Sequence, residues 1–250
     1  LSPYQSLDRM STYRTVYSNQ TDEVGFSPSG ISNPDLRWET TTQVDIGFDL
    51  GLLQNRIRFT ADYYKKNTVD LLASVPLPPS IGFGSILQNI GEIQNTGFEF
   101  TLGADIIATN KVRWDVTASY SNNNNEVIAL AGGSDILSAG QASAWSSTNI
   151  ARVGEPIGMF YGYLEDGLTD TGLIKYKDLD GNGVINSLDR TILGNPTPDF
   201  FYGLNTNVSY GNFELGVFVE GVQGNKIFNA TNGTHLNSFQ RGSNQFQDIM

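Results

Sequence analysis

Residues 43–50 read Gln-Val-Asp-Ile-Gly-Phe-Asp-Leu, in which every even-numbered residue is apolar and every odd-numbered residue is polar or glycine. A β-strand places successive side chains on opposite faces. This stretch therefore predicts a strand with one apolar face and one charged face. Similar stretches occur in pairs, joined by short turns, at three places in the chain. Such a pattern favours a transmembrane β-barrel, whose strands face lipid on one side and water on the other.

The first two predicted hairpins pair residues 40–51 with 56–65 and residues 96–105 with 111–121. In the first, a turn at 52–55 would place Leu50 opposite Ile57. This arrangement keeps every apolar residue on one face, whereas a slip of one residue would move charges among them. The alternation therefore specifies the faces of both hairpins.

The third predicted hairpin closes through Tyr210-Gly211-Asn212-Phe213. Pairing Tyr210 with Phe213 sets Val208 against Leu215, and Gly211 and Asn212 are expected to supply the positive φ of a two-residue turn. On the opposite, polar face, Phe218 is an isolated aromatic side chain.

The segments between the hairpins, 66–94 and 122–198, are interpreted as long irregular loops, as are the flanking residues 1–36 and 222–250. Compact soluble domains rarely contain loops of this length. The three short turns fall at alternate connections and therefore at one end of the sheet. We expect an all-β, antiparallel transmembrane β-barrel segment of about six strands with short periplasmic turns and long extracellular loops. The alternative is a soluble, secreted, calcium-stabilised β-sandwich that acts as a binding module, in which the apolar faces pack against each other.

The composition excludes several classes of function. Cysteine is absent, which removes disulfides and thiolate metal sites, and a single histidine leaves no His-pair zinc motif. The formal net charge of −11 argues against nucleic acid as a partner. The chain starts Leu-Ser-Pro-Tyr without a signal peptide, so it is either cytosolic or an internal piece of a longer exported chain.

Aromatic residues cluster at the predicted strand ends, as in the interfacial girdles of membrane barrels. Those expected at the outer rim are Trp38, Tyr63, Tyr64, Tyr120, Phe200, Phe201 and Tyr202, and those at the inner rim are Tyr210 and Phe213. Cross-strand aromatic pairing in a soluble sandwich is the alternative explanation.

Residues 178–189 read Asp-Leu-Asp-Gly-Asn-Gly-Val-Ile-Asn-Ser-Leu-Asp and match the spacing of an EF-hand calcium loop. Glycine stands at position six, where the chain must turn sharply, but position twelve is aspartate instead of glutamate and the flanks are not clear helices. A turn held by side-chain-to-backbone bonds without an ion is the alternative. The candidate Ca²⁺ ligands are Asp178, Asp180, Asn182, Val184 through its carbonyl, Asn186 and Asp189.

No residues indicate an enzyme. Asp45 and Asp62 could form an acid–base pair, but they are interpreted as lumenal charges balanced by Arg56 and Arg58. The sequence contains no phosphate loop, dinucleotide fingerprint or nucleophile elbow. The loop aromatics that could stack on a sugar or pack on a partner are Phe83, Trp145, Phe160 and Tyr161.

Several segments resemble SusC/RagA-type TonB-dependent outer-membrane transporters, in order along almost the whole chain. They are Asn33-Pro-Asp-Leu-Arg-Trp-Glu-Thr-Thr41, Asp62-Tyr-Tyr64 with Asp70-Leu-Leu72, Asn89-Ile-Gly-Glu-Ile-Gln-Asn-Thr-Gly-Phe-Glu99, Val153-Gly-Glu-Pro-Ile-Gly-Met-Phe-Tyr-Gly-Tyr163, and the run from Asp178 through Gly194-Asn-Pro-Thr-Pro198 to Tyr202-Gly203. Thr96 stands where this family is expected to have lysine.

The resemblance implies that residues 1–250 are part of a larger barrel in the outer membrane of a Gram-negative, Bacteroidetes-like bacterium. It also implies an N-terminal plug and TonB box outside this segment, energy transfer from TonB, and a SusD-like surface lipoprotein that captures glycans or peptides. In this interpretation residues 122–198 form a long extracellular loop that carries the EF-hand-like segment 178–189.

Overall fold

The computed structural model describes residues 6–16, 22–130, 133–137 and 147–231. Regular structure in these ranges is mostly antiparallel β-strand, with 3-10 helices at Pro79–Ile81 and Ser187–Asp189. The strands are β1 Arg9–Val16, β2 Asp22–Gly30, β3 Thr40–Leu52, β4 Ile57–Pro76, β5 Ser85–Ala108, β6 Val112–Leu130, β7 Ile136–Leu137, β8 Asn149–Ala151, β9 Met159–Tyr163, β10 Glu165–Leu168, β11 Ile174–Tyr176, β12 Arg190–Gly194, β13 Phe200–Tyr210 and β14 Phe213–Gln223. Within the described ranges, no helix has the length and apolar character needed to cross a membrane.

Six long strands form one antiparallel sheet in the order β14-β13-β6-β5-β4-β3. Its three hairpins close through residues 53–56, 109–111 and 211–212, all at one end of the sheet. The connections 77–84 and 131–199 lie at the opposite end. The predicted all-β antiparallel class with about six strands is therefore confirmed. Strands β3 and β14 are the two edges, so these six strands form an open sheet.

The register of the third hairpin is the predicted one, with Tyr210 opposite Phe213 and Val208 opposite Leu215. Gly211 has a positive φ of 59°, as the first central residue of a type II′ turn requires. The expected positive φ at Asn212 is not observed, so that detail of the prediction is wrong.

The register of the first hairpin differs from the prediction by two residues. Leu50 lies opposite Phe59 instead of Ile57, and the turn is formed by residues 53–56. Residues 53–55 adopt positive φ values of 53°, 60° and 64°. A shift of two residues leaves every side chain on its predicted face, so the faces are correct although the partners are not.

The strands continue well past their predicted ends. Strand β4 extends to Pro76 and β5 begins at Ser85, so most of the predicted loop 66–94 is sheet. Strand β6 extends to Leu130 and takes the beginning of the predicted loop 122–198. Apolar and polar residues follow each other here without a strict period of two, as in Leu71-Leu72 and in the four asparagines 122–125, so the alternation that marks a strand is lost.

The predicted loops also contain small sheets. Strands β7, β8, β9 and β12 form a four-stranded sheet, here called the loop sheet, in the order β12-β9-β8-β7, and β10 pairs with β11 beside it in sequence. In the amino-terminal stretch predicted as loop, β1 pairs with β2. The described part of the connection after β6 thus contains two small sheets.

The apolar face of the six-stranded sheet is uncovered. Val44, Phe100 and Leu215 are 54%, 37% and 64% exposed. A β-sandwich requires these side chains to be sealed between two sheets, and the described part of the chain shows no such packing. The sandwich alternative is therefore not supported.

Buried apolar side chains occur at the end of the six-stranded sheet that carries the long connections, and in the loop sheet. Among the described residues they are Ile90 and Val127, from the outer parts of β5 and β6, and Ile150 and Met159, from β8 and β9. The interior of this chain is thus small, as expected for a wall with lipid on one side and water on the other.

Candidate functional site

A belt of aromatic rings crosses the apolar face of the sheet towards the end that carries the long connections. Neighbouring ring centroids are 4.9–6.3 Å apart, in the order Tyr63–Phe98 (4.9 Å), Phe98–Phe100 (6.1 Å), Phe100–Tyr120 (6.2 Å), Tyr120–Phe200 (5.5 Å) and Phe200–Tyr202 (6.3 Å). These rings come from four strands. Such a belt is typical of the level where hydrocarbon meets the polar headgroups.

A second aromatic group marks the end with the short turns. Tyr210 and Phe213 are 63% and 80% exposed, and Trp114 donates from Nε1 to Thr206 Oγ1 at 2.9 Å. Between the two groups the outward-facing side chains are apolar except for Thr206, the acceptor of the Trp114 hydrogen bond. The apolar face is thus bounded at both ends by rings, as the sequence predicted.

Two of the predicted rim aromatics lie on the polar face instead. Tyr64 donates its hydroxyl to Asn123 Oδ1 at 3.1 Å, and Phe201 lies opposite Ser121 of β6. Both precede or follow an outward-facing aromatic in sequence, and alternation places them on the other face. They were misassigned because the prediction considered only their position near a strand end and not which face of the strand each residue occupies.

The polar face carries an excess of carboxylates. Arg58 forms an ion pair with Asp105 at 3.2 Å, whereas Arg56 donates to main-chain carbonyls. The predicted balancing of Asp45 and Asp62 by these arginines is therefore wrong. The shifted register places Arg58 opposite Gly51, away from Asp45, and its ion pair is with Asp105 on β5.

Backbone hydrogen bonds hold the segment between β8 and β9 of the loop sheet against the outer end of strand β6 in the six-stranded sheet. Val127 N donates to Glu155 O and Gly154 N donates to Val127 O, both at 2.9 Å. Ile157 N donates to the side chain of Asn125 at 2.8 Å. This large connection is consequently positioned by the wall itself.

Phe160 and Tyr161 lie in β9 and line a cavity of ≈ 420 Å³. The guanidinium of Arg190 stands 4.7 Å from the centroid of the Tyr161 ring, and Phe228 lies 6.4 Å from Phe160. The structure therefore brings both predicted aromatics to one cavity.

Phe83 lines a different concavity of ≈ 240 Å³, beside the end of β2, and does not join Phe160 and Tyr161. Trp145, the remaining predicted loop aromatic, lies outside the described residues, as does His235. The four aromatics do not form one site among the described residues.

The EF-hand-like segment folds into a turn in which three carboxylates converge. Oxygen atoms of Asp178, Asp180 and Asp189 all lie within 4.8 Å of one another. Asp178 accepts from Gly183 N and Gly181 N, both at 2.7 Å, and these bonds lower the pKa of its carboxyl, that from Gly183 having the largest effect.

Asp189 is fully buried, and its two oxygens accept from Leu179 N and Asn186 N, each at 2.8 Å. Asn186 caps the 3-10 helix Ser187–Asp189. A carboxylate oxygen that accepts one N–H retains a lone pair, so the converging oxygens fit a hard cation such as Ca²⁺. The same carboxylates also accept hydrogen bonds from the loop's own amides, so the geometry fits both sequence-based interpretations.

Sequence reasoning missed a contact between two of the family-like segments. Asn89 donates to the carbonyls of Arg37 (2.9 Å) and Asp70 (2.6 Å), and its Oδ1 accepts from Arg37 N at 2.8 Å. Glu39 accepts from Leu72 N at 2.9 Å. The segment before β3 is thus fastened across β4 and β5. Asn89 was predicted to lie in a loop, and the available signal was its position in a family-like segment.

Comparison with known proteins agrees with this architecture. A family described as "TonB dependent receptor-like, beta-barrel" matches residues 2–242. The chain belongs to this family. The resemblance drawn from the sequence segments is therefore confirmed at the level of the TonB-dependent receptor barrel.

Two curated relatives are TonB-dependent receptor P3 of Formosa agariphila and TonB-dependent receptor SusC of Bacteroides thetaiotaomicron. The first is 36% identical and the match covers 92% of this chain and 25% of the relative. The second is 32% identical, with 78% and 20% covered. This TonB-dependent receptor segment spans about a quarter or less of the length of these relatives.

A solved structure entitled "Structure of the RagAB peptide transporter" has the same fold over 88% of this chain and 25% of its own, with a TM-score of 0.75 and 24% identity. At this identity the likeness concerns the fold alone.

Proposed function

We propose that this TonB-dependent receptor segment forms part of the wall and external loops of an outer-membrane active importer. The observation that carries the proposal is an uncovered apolar face bounded at both ends by aromatic side chains, opposite a charged face. Lipid is the solvent that such an outward face matches, and water fills the interior. The proposed role is transport and involves no catalytic step.

The short turns at 53–56, 109–111 and 211–212 are proposed to face the periplasm and the loop sheet to face the outside. In membrane barrels, short turns lie on the periplasmic side and long connections on the external side. Residues 122–198, including the loop sheet, would then meet the incoming nutrient or its capture protein.

The proposed cargo is an oligosaccharide or a peptide, delivered by a SusD-like surface lipoprotein and taken up with energy from TonB. A plug and a TonB-contacting segment would lie in the rest of the full-length protein, since this chain covers only a fraction of the relatives' length. The aromatic cavity containing Phe160 and Tyr161 and the separate concavity at Phe83 are the described surfaces suited to stacking on a sugar ring or a partner.

The experiment uses a deletion strain complemented with the full-length gene. Membranes are extracted with carbonate buffer and then with detergent, and growth is measured on starch, xylan, pectin or a casein digest with and without functional TonB. The proposal expects extraction by detergent alone and TonB-dependent growth on at least one carbon source. Release by carbonate, or growth that never depends on the gene, would refute it.

We also propose that residues 178–189 bind Ca²⁺ through Asp178, Asp180, Asn182, the Val184 carbonyl, Asn186 directly or through water, and Asp189. Convergence of three carboxylates supports this, because a divalent cation relieves their repulsion. Amide hydrogen exchange of the loop is compared in about 1 mM CaCl₂ and in EDTA, which removes the ion. The calcium concentration is about that at which weak extracellular calcium sites are occupied. Slower exchange in Ca²⁺ that vanishes in Asp178→Ala but persists in Asp170→Ala supports binding; equal exchange in both buffers excludes it.

A further inference from the structure

A groove of ≈ 540 Å³ crosses the polar face of the sheet over strands β5, β6, β13 and β14. It is here called the carboxylate–ring groove, after five of the residues that line it: Glu99, Phe201, Gly203, Phe218 and Glu220. All five have the parity of the polar face, so the groove opens towards the interior of the proposed barrel. The aromatic belt described above lies on the other side of the same strands.

The floor of the groove is open because its residues are small. Gly203 lies between Ser119 of β6 and Glu220 of β14 in the sheet. A Cβ atom at position 203 would stand 2.7 Å from Ser119 Oγ, which is closer than such atoms approach. Glycine is therefore the residue that keeps this part of the wall recessed.

Two phenyl rings stand on either side of the recess, along the strand direction. Phe201 precedes Gly203 by two residues on β13, and Phe218 precedes Glu220 by two on β14. They are 43% and 64% exposed although they project from a polar face. The face of a phenyl ring carries partial negative charge and attracts a cation.

The groove carries negative charge that the described residues do not neutralise. Glu99 and Glu220 are exposed, and no basic side chain in the described part of the chain forms an ion pair with either. Asp62 lies directly opposite Glu99 on the neighbouring strand. Like charges at such a position are destabilising, so the sheet accepts a cost that a cation in the groove would relieve.

We propose that the carboxylate–ring groove binds a positively charged group, an ammonium or a guanidinium, on the ligand that passes through the barrel. The cation would lie in the groove above the floor at Gly203, beside Glu220 and the ring face of Phe218. Glu99 and Phe201, at the other end of the groove, would add to the attraction. This inference rests on the proposed import function and narrows its cargo to ligands that carry a positive charge.

Two probe pairs test the inference, each matched except for charge. Tri-arginine is compared with tri-citrulline, and the trimer of glucosamine with the trimer of N-acetylglucosamine, by calorimetric titration of the full-length protein in detergent. The charged member of at least one pair is expected to bind about fivefold or more tightly, the effect of one exposed ion pair. The pair that shows the difference identifies the source as peptide or amino sugar.

Variants place the effect in the groove. Glu99→Gln combined with Glu220→Gln should abolish the preference for the charged probe. Phe218→Leu, which keeps an apolar side chain but removes the ring face, should weaken the charged probe about threefold, an exposed cation–π contribution. Glu214→Gln is the control, because Glu214 is a carboxylate on the same face of β14 but outside the groove.

The outcomes are distinguishable from failure of the proposed function. Equal affinities within both pairs, or a preference that survives the double glutamine variant, overturn the groove while TonB-dependent growth can still stand. Absence of any probe binding, as expected if another part of the protein fills the groove, overturns it as well.

Discussion

Among the described residues, Asp189 is the buried carboxylic acid. Its role in the loop is structural whether or not a cation binds. Its two oxygens hold the amides of Leu179 and Asn186, which closes residues 178–189 into one turn. A carboxylate at loop position twelve was proposed from the sequence for metal binding alone. The shorter aspartate reaches these amides within the loop.

Asp189→Ala should open this turn, because two part-buried amides lose their acceptor. The expected cost is about 3 kcal/mol of local stability, since an unsatisfied buried donor costs about 1–3 kcal/mol. Amide exchange at Leu179 and Asn186 in EDTA measures it. Asp180→Ala, at an exposed carboxylate of the same loop, is the control and should cost about 1 kcal/mol or less; an equal effect of both changes would contradict the assignment.

Asp178 gives the same turn a defined pH dependence. The N–H of Gly183 is the main cause of its lowered pKa. Because the folded-state pKa lies below the unfolded value of about 3.9, its contribution is fully present above about pH 4 and is lost as the pH falls through the folded-state pKa.

Protection of the Gly181 and Gly183 amides, measured in EDTA between neutral pH and about pH 2, should therefore decline below about pH 4. In Asp178→Asn this decline should be smaller, because the titrating group is gone. Protection that falls between pH 7 and 5 would point to another group.

At the scale of the elements, the tight turn of the third hairpin fixes its register. Gly211→Ala should destabilise this hairpin by about 1 kcal/mol, because the φ of 59° disfavours a side chain although the space around it is free. Asn212→Ala has no such φ and should change stability by less than about 0.5 kcal/mol. Urea unfolding of the lipid-embedded protein measures both, and the reverse order would indicate that the turn is not type II′.

This contrast explains how much of the fold the sequence determines. A two-residue turn leaves one register, so the pairing of Tyr210 with Phe213 was predictable. The four-residue turn 53–56 permits two registers that put the same side chains on the same faces, and alternation cannot distinguish them. Positive φ at Leu53 was not predictable either, since leucine rarely adopts it.

The outer parts of β4, β5 and β6 were missed for a related reason. Above the aromatic belt both faces meet water, so Lys65, Lys66 and residues 122–125 are polar without alternation. Strand continuity there depends on cross-strand partners, such as Asn125 Nδ2 donating to Asn95 Oδ1 at 2.9 Å. The candidate cavity at Phe160 likewise depends on the loop sheet, whose strands are too short for a periodic signal.

At the scale of the whole molecule, an open sheet with an apolar outer face requires more strands. In hydrocarbon, unpaired backbone groups on edge strands β3 and β14 would be costly, so a spanning sheet must close. The small share of the relatives' length that this chain covers is consistent with closure by other strands of a longer protein. The open edges are therefore expected to pair with other strands of the same barrel.

The assignment of the two faces leads to a direct test at neighbouring positions. Leu204 and Asn205 are adjacent on β13, so they have similar depth but project from opposite faces. Leu204→Arg places a charge in hydrocarbon and should cost about 2–4 kcal/mol if the position lies near the bilayer midplane. Asn205→Arg places the same charge in the aqueous interior, where carboxylates are in excess, and should be nearly neutral.

Denaturant unfolding of the full-length protein in lipid vesicles gives both free energies, and the wild type in the same vesicles is the reference. The two variants introduce the same side chain on the same strand. The difference between their losses of unfolding free energy therefore reports whether each face contacts lipid or water. A larger loss for Asn205→Arg would mean that the polar face contacts lipid. Equal losses would mean that neither face contacts lipid. That result would contradict the proposed membrane importer and indicate a protein in which both faces of the sheet are packed.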